Sequence, residues 1–445
     1  MISTAAQIDS VLSTGNTAER GKGMILLLIV ADDFTGALDT GVQFAAQGVQ
    51  TRVVVGTHMA LEHYETTVLV VDTETRHLPA NEAYDITAEL IKQAKEAGVK
   101  YIYKKTDSAL RGNIGAELTA VLKASGCRQL PFLPAFPQIE RITRYGIHYI
   151  SGVPVAESPF GKDPFEPVQH SEVTKVIKEQ SDLMATSYPA LTPSDEVPEA
   201  SGIMVFDAAD REDLYHTGQK LLEEGCLSIM AGCAGFAAVL PELLGIASED
   251  SRPLPTLDPR LLVGCGSVNP ITVAQMDLAE EAGFARLRLT PQQKLEPHYW
   301  QSDKGKEALK DIEEMLKRHP HCIIETNDLM GNQPTADYAA TLGLDQEGIR
   351  VRIASSLGDL IGSIFTSPSL GTLLLTGGDT LLQCMNCIGV SELEPLCELE
   401  KGIVLAQFTY KGYTRHVIAK SGGFGEESLL LDLAARIAKH SNNYI

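Results

Sequence analysis

Met24-Ile25-Leu26-Leu27-Leu28-Ile29-Val30 is an unbroken apolar run, and Ala31-Asp32-Asp33-Phe34-Thr35-Gly36 follow it at once. A strand with one wet face alternates apolar and polar residues, whereas a strand covered on both faces reads as continuous hydrophobics. The run is far shorter than the ~20 residues of a membrane span. It ends in two aspartates without the small-residue pattern of a cleaved leader. It therefore reads as the buried first strand of a parallel sheet. Residues 1–23 are an expected N-terminal extension, with Met24 an alternative start.

The same design recurs. Apolar runs at 52–56, 67–72, 100–104, 203–206 and 227–231 predict further strands, with helices at 36–47, 81–97, 113–124, 208–223 and 234–245. Residues 247–259 are polar and hold three prolines, the composition of a linker. Beyond it strands are expected near 260–264, 284–289, 321–325, 371–376, 402–407 and 415–419. The expected fold class is α/β with two domains, 24–246 and 260–445. Each is a mostly parallel sheet flanked by helices, with the active site in the cleft between them. No internal repeat is visible, and the Pro-rich stretch 153–167 predicts an extended loop or arm. Ligands in open α/β sheets bind beyond the carboxyl ends of the strands.

The chain's 445 residues allow two or three domains. Its net charge of −21 argues against nucleic acid and anionic membranes as partners. Eight cysteines scattered over so long a chain point to a reduced, cytoplasmic protein rather than a disulfide scaffold. Cys384 and Cys387 form a C-x-x-C without a second pair, so they read as ordinary thiols rather than zinc ligands. Against the acidic background, residues 100–145 carry eight Lys/Arg and three Asp/Glu. That basic island suits an anionic ligand.

Six motifs lie where predicted strands meet predicted helices. At Asp32-Asp33-Phe34-Thr35-Gly36, two adjacent carboxylates suit proton acceptance or hydroxyl binding, though one of them could simply cap the helix. Lys104-Lys105-Thr106-Asp107-Ser108-Ala109-Leu110-Arg111-Gly112-Asn113 offers cations for a carboxylate or phosphate, arginine as a bidentate fork. Pro134-Ala135-Phe136-Pro137-Gln138 with Arg141 could wall a pocket. Gly264-Cys265-Gly266-Ser267-Val268-Asn269 approaches a dinucleotide fingerprint but lacks its third glycine, and no acidic residue ends the next strand. Thr376-Gly377-Gly378-Asp379-Thr380 and Lys420-Ser421-Gly422-Gly423-Phe424-Gly425 repeat the strand, glycine turn, helix design that cradles phosphate with backbone amides. No G-x-x-x-x-G-K-[ST], HExxH or GxSxG occurs.

Taken together, and in this order over about residues 24–435, these motifs resemble the four-carbon acid sugar kinases. The resemblance implies an N-terminal sugar-acid domain and a C-terminal nucleotide domain. It also implies ATP with Mg²⁺ as cofactors, and transfer to O4 of D-threonate, L-threonate, D-erythronate or 3-oxo-tetronate. A downstream enzyme would oxidise and decarboxylate the product, and a homodimer is left open. Substrate binding is expected at Asp32, Asp33, Lys105, Asp107, Ser108, Arg111 and Arg141. Nucleotide binding is expected at Ser267, Gly377, Gly378, Asp379, Thr380, Gly422 and Gly423. Asp33 is the expected base, Asp379 the alternative, and no metal-ligand set is visible. One departure is Ile139-Glu140, which stands where the family pattern has a glycine before the arginine. Two other readings compete: a dehydrogenase using Gly264 and Gly266, and a non-catalytic sugar-acid sensor.

Overall fold

The computed structural model describes residues 25–56, 61–162, 167–248, 254–329 and 331–442. The expected extension and residues 249–253 of the expected linker lie outside the described residues. In chain order the strands of the first half are β1 (Leu27–Ala31), β2 (Thr51–Val55), β3 (Val68–Asp72), β4 (Tyr101–Lys105), β5 (Gln129–Leu133), β6 (Arg141–Arg144), β7 (Ile147–Ile150), β8 (Val153–Pro154), β9 (Ala185–Tyr188), β10 (Gly202–Phe206) and β11 (Ile229–Gly232). Those of the second half are β12 (Leu261–Cys265), β13 (Ala285–Arg288), β14 (His321–Glu325), β15 (Thr372–Thr376), β16 (Glu392–Glu400), β17 (Ile403–Tyr410) and β18 (Tyr413–Lys420).

In the first half the order β2-β3-β1-β4-β11-β5-β10-β9 is parallel throughout. Every residue of β1 and β3 is buried. Successive side chains point to opposite faces, and each face has its own cover. Leu27 and Ile29 pack with Phe34, Leu38 and Val42 of the helix Phe34–Ala45. Leu28 and Val30 pack with Leu90 and Ile91 of the helix Ala80–Glu96 and with Leu118 and Val121 of the helix Ile114–Ser125. This double burial is why the strand carries no alternation.

The second half orders β13-β14-β12-β15-β18 in parallel, then returns through two antiparallel pairings, β18-β17 and β17-β16. β16 then pairs antiparallel with β2, Leu393 opposite Val53. The two halves thus share one fifteen-stranded sheet. Drawn flat, β1 and β15 would point in opposite directions. Six steps separate them in the sheet order. At roughly 20–25° of twist per step, the accumulated rotation turns their carboxyl ends back toward each other.

Some elements depart from the sequence reading, each for a local reason. The helix expected at 234–245 is split into Ala234–Ala237 and Leu240–Leu243, with Pro241 starting the second piece. β5 holds Pro131 and was not expected. β16 reads Glu-Leu-Glu-Pro-Leu-Cys-Glu-Leu-Glu, the alternation of a half-exposed antiparallel strand, and bulges beside Pro395. The described part of the Pro-rich stretch forms β8 and two 3₁₀ turns, Val155–Glu157 and Pro159–Lys162, beside β6 and β7, and residues 163–166 lie outside the described residues. Cys384 and Cys387 are free thiols, one buried and one exposed. No helix among the described residues is long and apolar enough to cross a membrane.

Candidate active site

Every motif singled out in the sequence sits just past the carboxyl end of a strand: β1, β4, β5, β12, β15 or β18. A seventh segment, Thr73-Glu74-Thr75-Arg76-His77 after β3, joins them. Arg76 is its centre. Its guanidinium donates from Nε to Asp32 Oδ2 at 2.7 Å and from Nη2 to Asp33 Oδ1 at 2.5 Å, and Nη2 lies 3.8 Å from Asp107 Oδ1. All of these groups but Asp33 are almost wholly buried. A buried charge persists only when paired, and here one cation holds together carboxylates from two strand ends. Arg76 and the Lys104 and Lys105 ammoniums hold Asp32 down to about 2 against the upward push of burial. Asp32 Oδ1 is buried without a hydrogen-bond partner.

Asp33 caps the helix Phe34–Ala45 by accepting from Gly36 N. A Cβ at Gly36 would fall 2.5 Å from Lys105 Nζ and 2.4 Å from Asp33 Oδ1, so only glycine lets this ammonium and carboxylate close over the helix start. The two lysines after β4 do different work. Lys104 is fully buried, 3.2 Å from Glu117 Oε2, and donates to the carbonyls of Val30 and Lys105. It is structural. Lys105 is only 4% exposed, and its ammonium makes no hydrogen bond or ion pair among the described residues.

Arg111 grips Asp107 with both Nε and Nη2 at 2.9 Å, which holds Asp107 well below the usual carboxylate range despite burial. Arg141 donates to the Ser108 hydroxyl, and burial lowers its pKa. His148 holds the Ser108 carbonyl at 2.9 Å and is driven down to about 4 by burial, so it is neutral near pH 7. The Phe160 ring meets both guanidiniums, 5.2 Å from Arg111 Cζ and 5.1 Å from Arg141 Cζ. Glu140, just before Arg141, sits at φ 57°. That is a left-handed backbone that glycine adopts freely and glutamate does not.

The second half gathers its glycine turns. A Cβ at Gly266 would lie 1.9 Å from Thr380 Oγ1, and one at Gly422 2.8 Å from Ser267 Oγ. Gly377 has φ 102°. Gln275 holds the turn by donating to the carbonyls of Phe424, Gly425 and Glu426. Lys420, buried behind it, is lowered to about 8 by burial. Asp379 accepts from Arg350 Nη1 at 2.5 Å.

The halves meet at this level. A Cβ at Gly378 would lie 2.8 Å from Thr35 Oγ1, and Ser421 Oγ is 3.3 Å from Asp39 Oδ2. Asp32, Asp33, Glu74, Arg76, Gly266, Gly377, Gly378, Asp379 and Thr380 line one cavity. Asp32 and Asp33 of the expected substrate group thus share a cavity with Gly377, Gly378, Asp379 and Thr380 of the expected nucleotide group, whereas Lys105, Asp107, Ser108, Arg111, Arg141, Ser267, Gly422 and Gly423 do not line it. Sequence reasoning missed Arg76, Glu74 and Phe160. Asp72-Thr73-Glu74 repeats, after a second buried strand, the carboxylate signal already read at Asp32-Asp33, and that repetition was the available clue.

A family profile described as a sugar-binding N-terminal domain matches residues 27–240, and one described as a nucleotide-binding C-terminal domain matches residues 262–430. A D-threonate kinase of Salmonella typhimurium is 29% identical over 430 residues, covering 91% of this chain and 97% of the relative. A D-erythronate kinase of Heliobacterium modesticaldum is 26% identical, covering 83% and 87%. A 3-oxo-tetronate kinase of Methylobacterium radiotolerans is 25% identical, covering 89% and 95%. Among solved structures, a Salmonella typhimurium LT2 protein bearing a provisional tRNA synthase name superposes with a TM-score of 0.74 at 20% identity, over 92% of this chain and 98% of that one. A Haemophilus influenzae protein gives a TM-score of 0.65 at 17% identity, over 94% and 99%. These two likenesses bear on the fold alone.

Proposed function

Since this chain belongs to the four-carbon acid sugar kinase family, we propose that it transfers the γ-phosphoryl group of ATP to the terminal hydroxyl of threonate, erythronate or 3-oxo-tetronate. The observation that carries this reading is the shared cavity, where carboxylates of the first half face glycine turns of the second. The kinase names of the relatives count against the dehydrogenase and sensor readings.

ATP would lie on the second half, its phosphates on the amides of Gly377, Gly378, Asp379, Thr380, Gly422 and Gly423 and beside Ser267. The absence of room for a Cβ at Gly266 and Gly422 fits such close backbone approach. The sugar acid would lie on the first half. Lys105, Arg111 and Arg141 would meet its carboxylate, and Asp32, Asp33, Asp107 and Ser108 its hydroxyls. Lys105 is the best placed of the cations, since Arg111 already spends two donors on Asp107. Mg²⁺ would supply charge neutralisation at the phosphates. No group of three or more candidate ligand side chains occurs among the described residues, so no step is assigned to the metal. Closure of the halves would exclude water and align hydroxyl with phosphorus. The phosphorylated acid would then pass to an enzyme that oxidises and decarboxylates it.

A panel of four-carbon acids in a coupled ADP-release assay tests this. At least one acid should stimulate ADP release far above the acid-free rate. Release that no acid in the panel stimulates would refute the proposal.

A further inference from the structure

The geometry points to Glu74 as the proton acceptor of the transfer, in place of either aspartate expected from the sequence. This inference rests on the kinase reading. The substrate O–H bond breaks and its proton passes to the Glu74 carboxylate. The freed electron pair on oxygen forms the bond to the γ-phosphorus. The bond from that phosphorus to the β–γ bridging oxygen breaks, and the nucleoside diphosphate leaves.

Position comes first. Glu74 follows β3 and lines the same cavity as Asp33 on one side and Gly377, Gly378 and Asp379 on the other. That is the junction where a hydroxyl bound by the first half would meet a phosphate bound by the second. Availability comes next. Asp33 Oδ1 takes both the Gly36 amide and the Arg76 guanidinium, and Asp379 Oδ2 takes the Arg350 guanidinium. Each is already compensated by a cation. Glu74 has no salt bridge with a lysine or arginine among the described residues. Its Oε1 accepts only from the Phe34 amide, at 3.2 Å.

Orientation is built in as well. Glu74 sits at φ 50°, a left-handed backbone that costs a glutamate energy and persists only where the surroundings enforce it. The enforcing contacts are the Phe34 amide and Asp72, whose Oδ1 accepts from Glu74 N at 3.2 Å. Asp72 is wholly buried, with Oδ2 lacking a partner. Burial and the neighbouring Glu74 raise Asp72 well above the usual carboxylate range. Glu74 itself is raised by burial and by the like charges of Asp33 and Asp379, while Asp72 and the Phe34 amide oppose the shift. A carboxylate held in place by Asp72 and the Phe34 amide, with no cation partner among the described residues, has the make-up of an oriented base.

The test uses the full chain with Glu74→Gln and the acid that the panel identifies. We expect kcat to fall by at least about a hundredfold, with calorimetric affinities for ATP and for the acid unchanged. The acid limb of the kcat–pH profile should disappear from what remains. An unchanged kcat, an unchanged acid limb, or a loss of ligand binding in parallel with kcat would overturn the inference. Should the glutamine variant fail to fold, Glu74→Asp decides. It keeps the charge but draws it back by one methylene, so kcat should drop with both affinities kept, and an undiminished kcat overturns the assignment. A wild-type chain inert toward every acid would refute the kinase reading itself, a distinct outcome.

Discussion

Asp39 shows how one side chain can report on the join between the halves. It lies on the helix that Asp33 caps, and its carboxyl meets Ser421 of the second half's glycine turn. Burial pushes it up to about 7, with Asp33 and Glu398 adding to the shift and Lys105 and the Ser421 hydroxyl opposing it. A raised folded-state pKa means that the folded protein holds a proton where the unfolded chain has released it. The associated stability is complete below the ordinary aspartate value of 3.8 and is lost as pH rises through about 7. Asp39→Asn removes that titration. Its Tm relative to wild type should therefore climb between about pH 4 and about pH 8 and level off above. A difference that stays constant across that range would contradict the placement. At this scale the sequence displayed the residues that sit in motifs, Asp32, Asp33, Lys105 and the glycines. It concealed those whose role depends on a distant partner. Arg76 reads as a polar loop residue until β3 is placed beside β1, which lets it reach two carboxylates more than forty positions away.

At the scale of elements, the arm after β8 does the unexpected work. Its Phe160 ring contacts the guanidiniums of both Arg111 and Arg141. A cation–π contact is worth about 0.5–2 kcal/mol. Phe160→Leu keeps apolar bulk but loses the ring face, so KM for the sugar acid should rise several-fold to tens-fold while KM for ATP stays put. Steady-state kinetics with each substrate varied in turn measures both. An equal rise in the two, or none in either, would mean that the arm only packs. The buried parallel strands were legible because continuous hydrophobics leave few alternatives. β5, β16 and the small sheet β6-β7-β8 were not, because prolines and half-exposed alternation weaken the strand signal in a single sequence.

At the scale of the molecule, two α/β halves could be read from the restart of the strand–helix rhythm after residue 259. Their union in one sheet could not. It depends on β16 meeting β2, an antiparallel pairing of segments more than three hundred residues apart. That pairing and the sheet's twist carry the two sets of strand ends to a common cavity, and the account stands or falls on chemistry occurring there. Phosphorus NMR of the wild-type chain with ATP, Mg²⁺ and the panel of four-carbon acids tests this most directly. The account predicts loss of the γ-phosphate signal matched by a new phosphomonoester, coupled to protons of the terminal carbon, and by ADP. Inorganic phosphate as the sole new product, or an unchanged ATP spectrum with every acid, would contradict it.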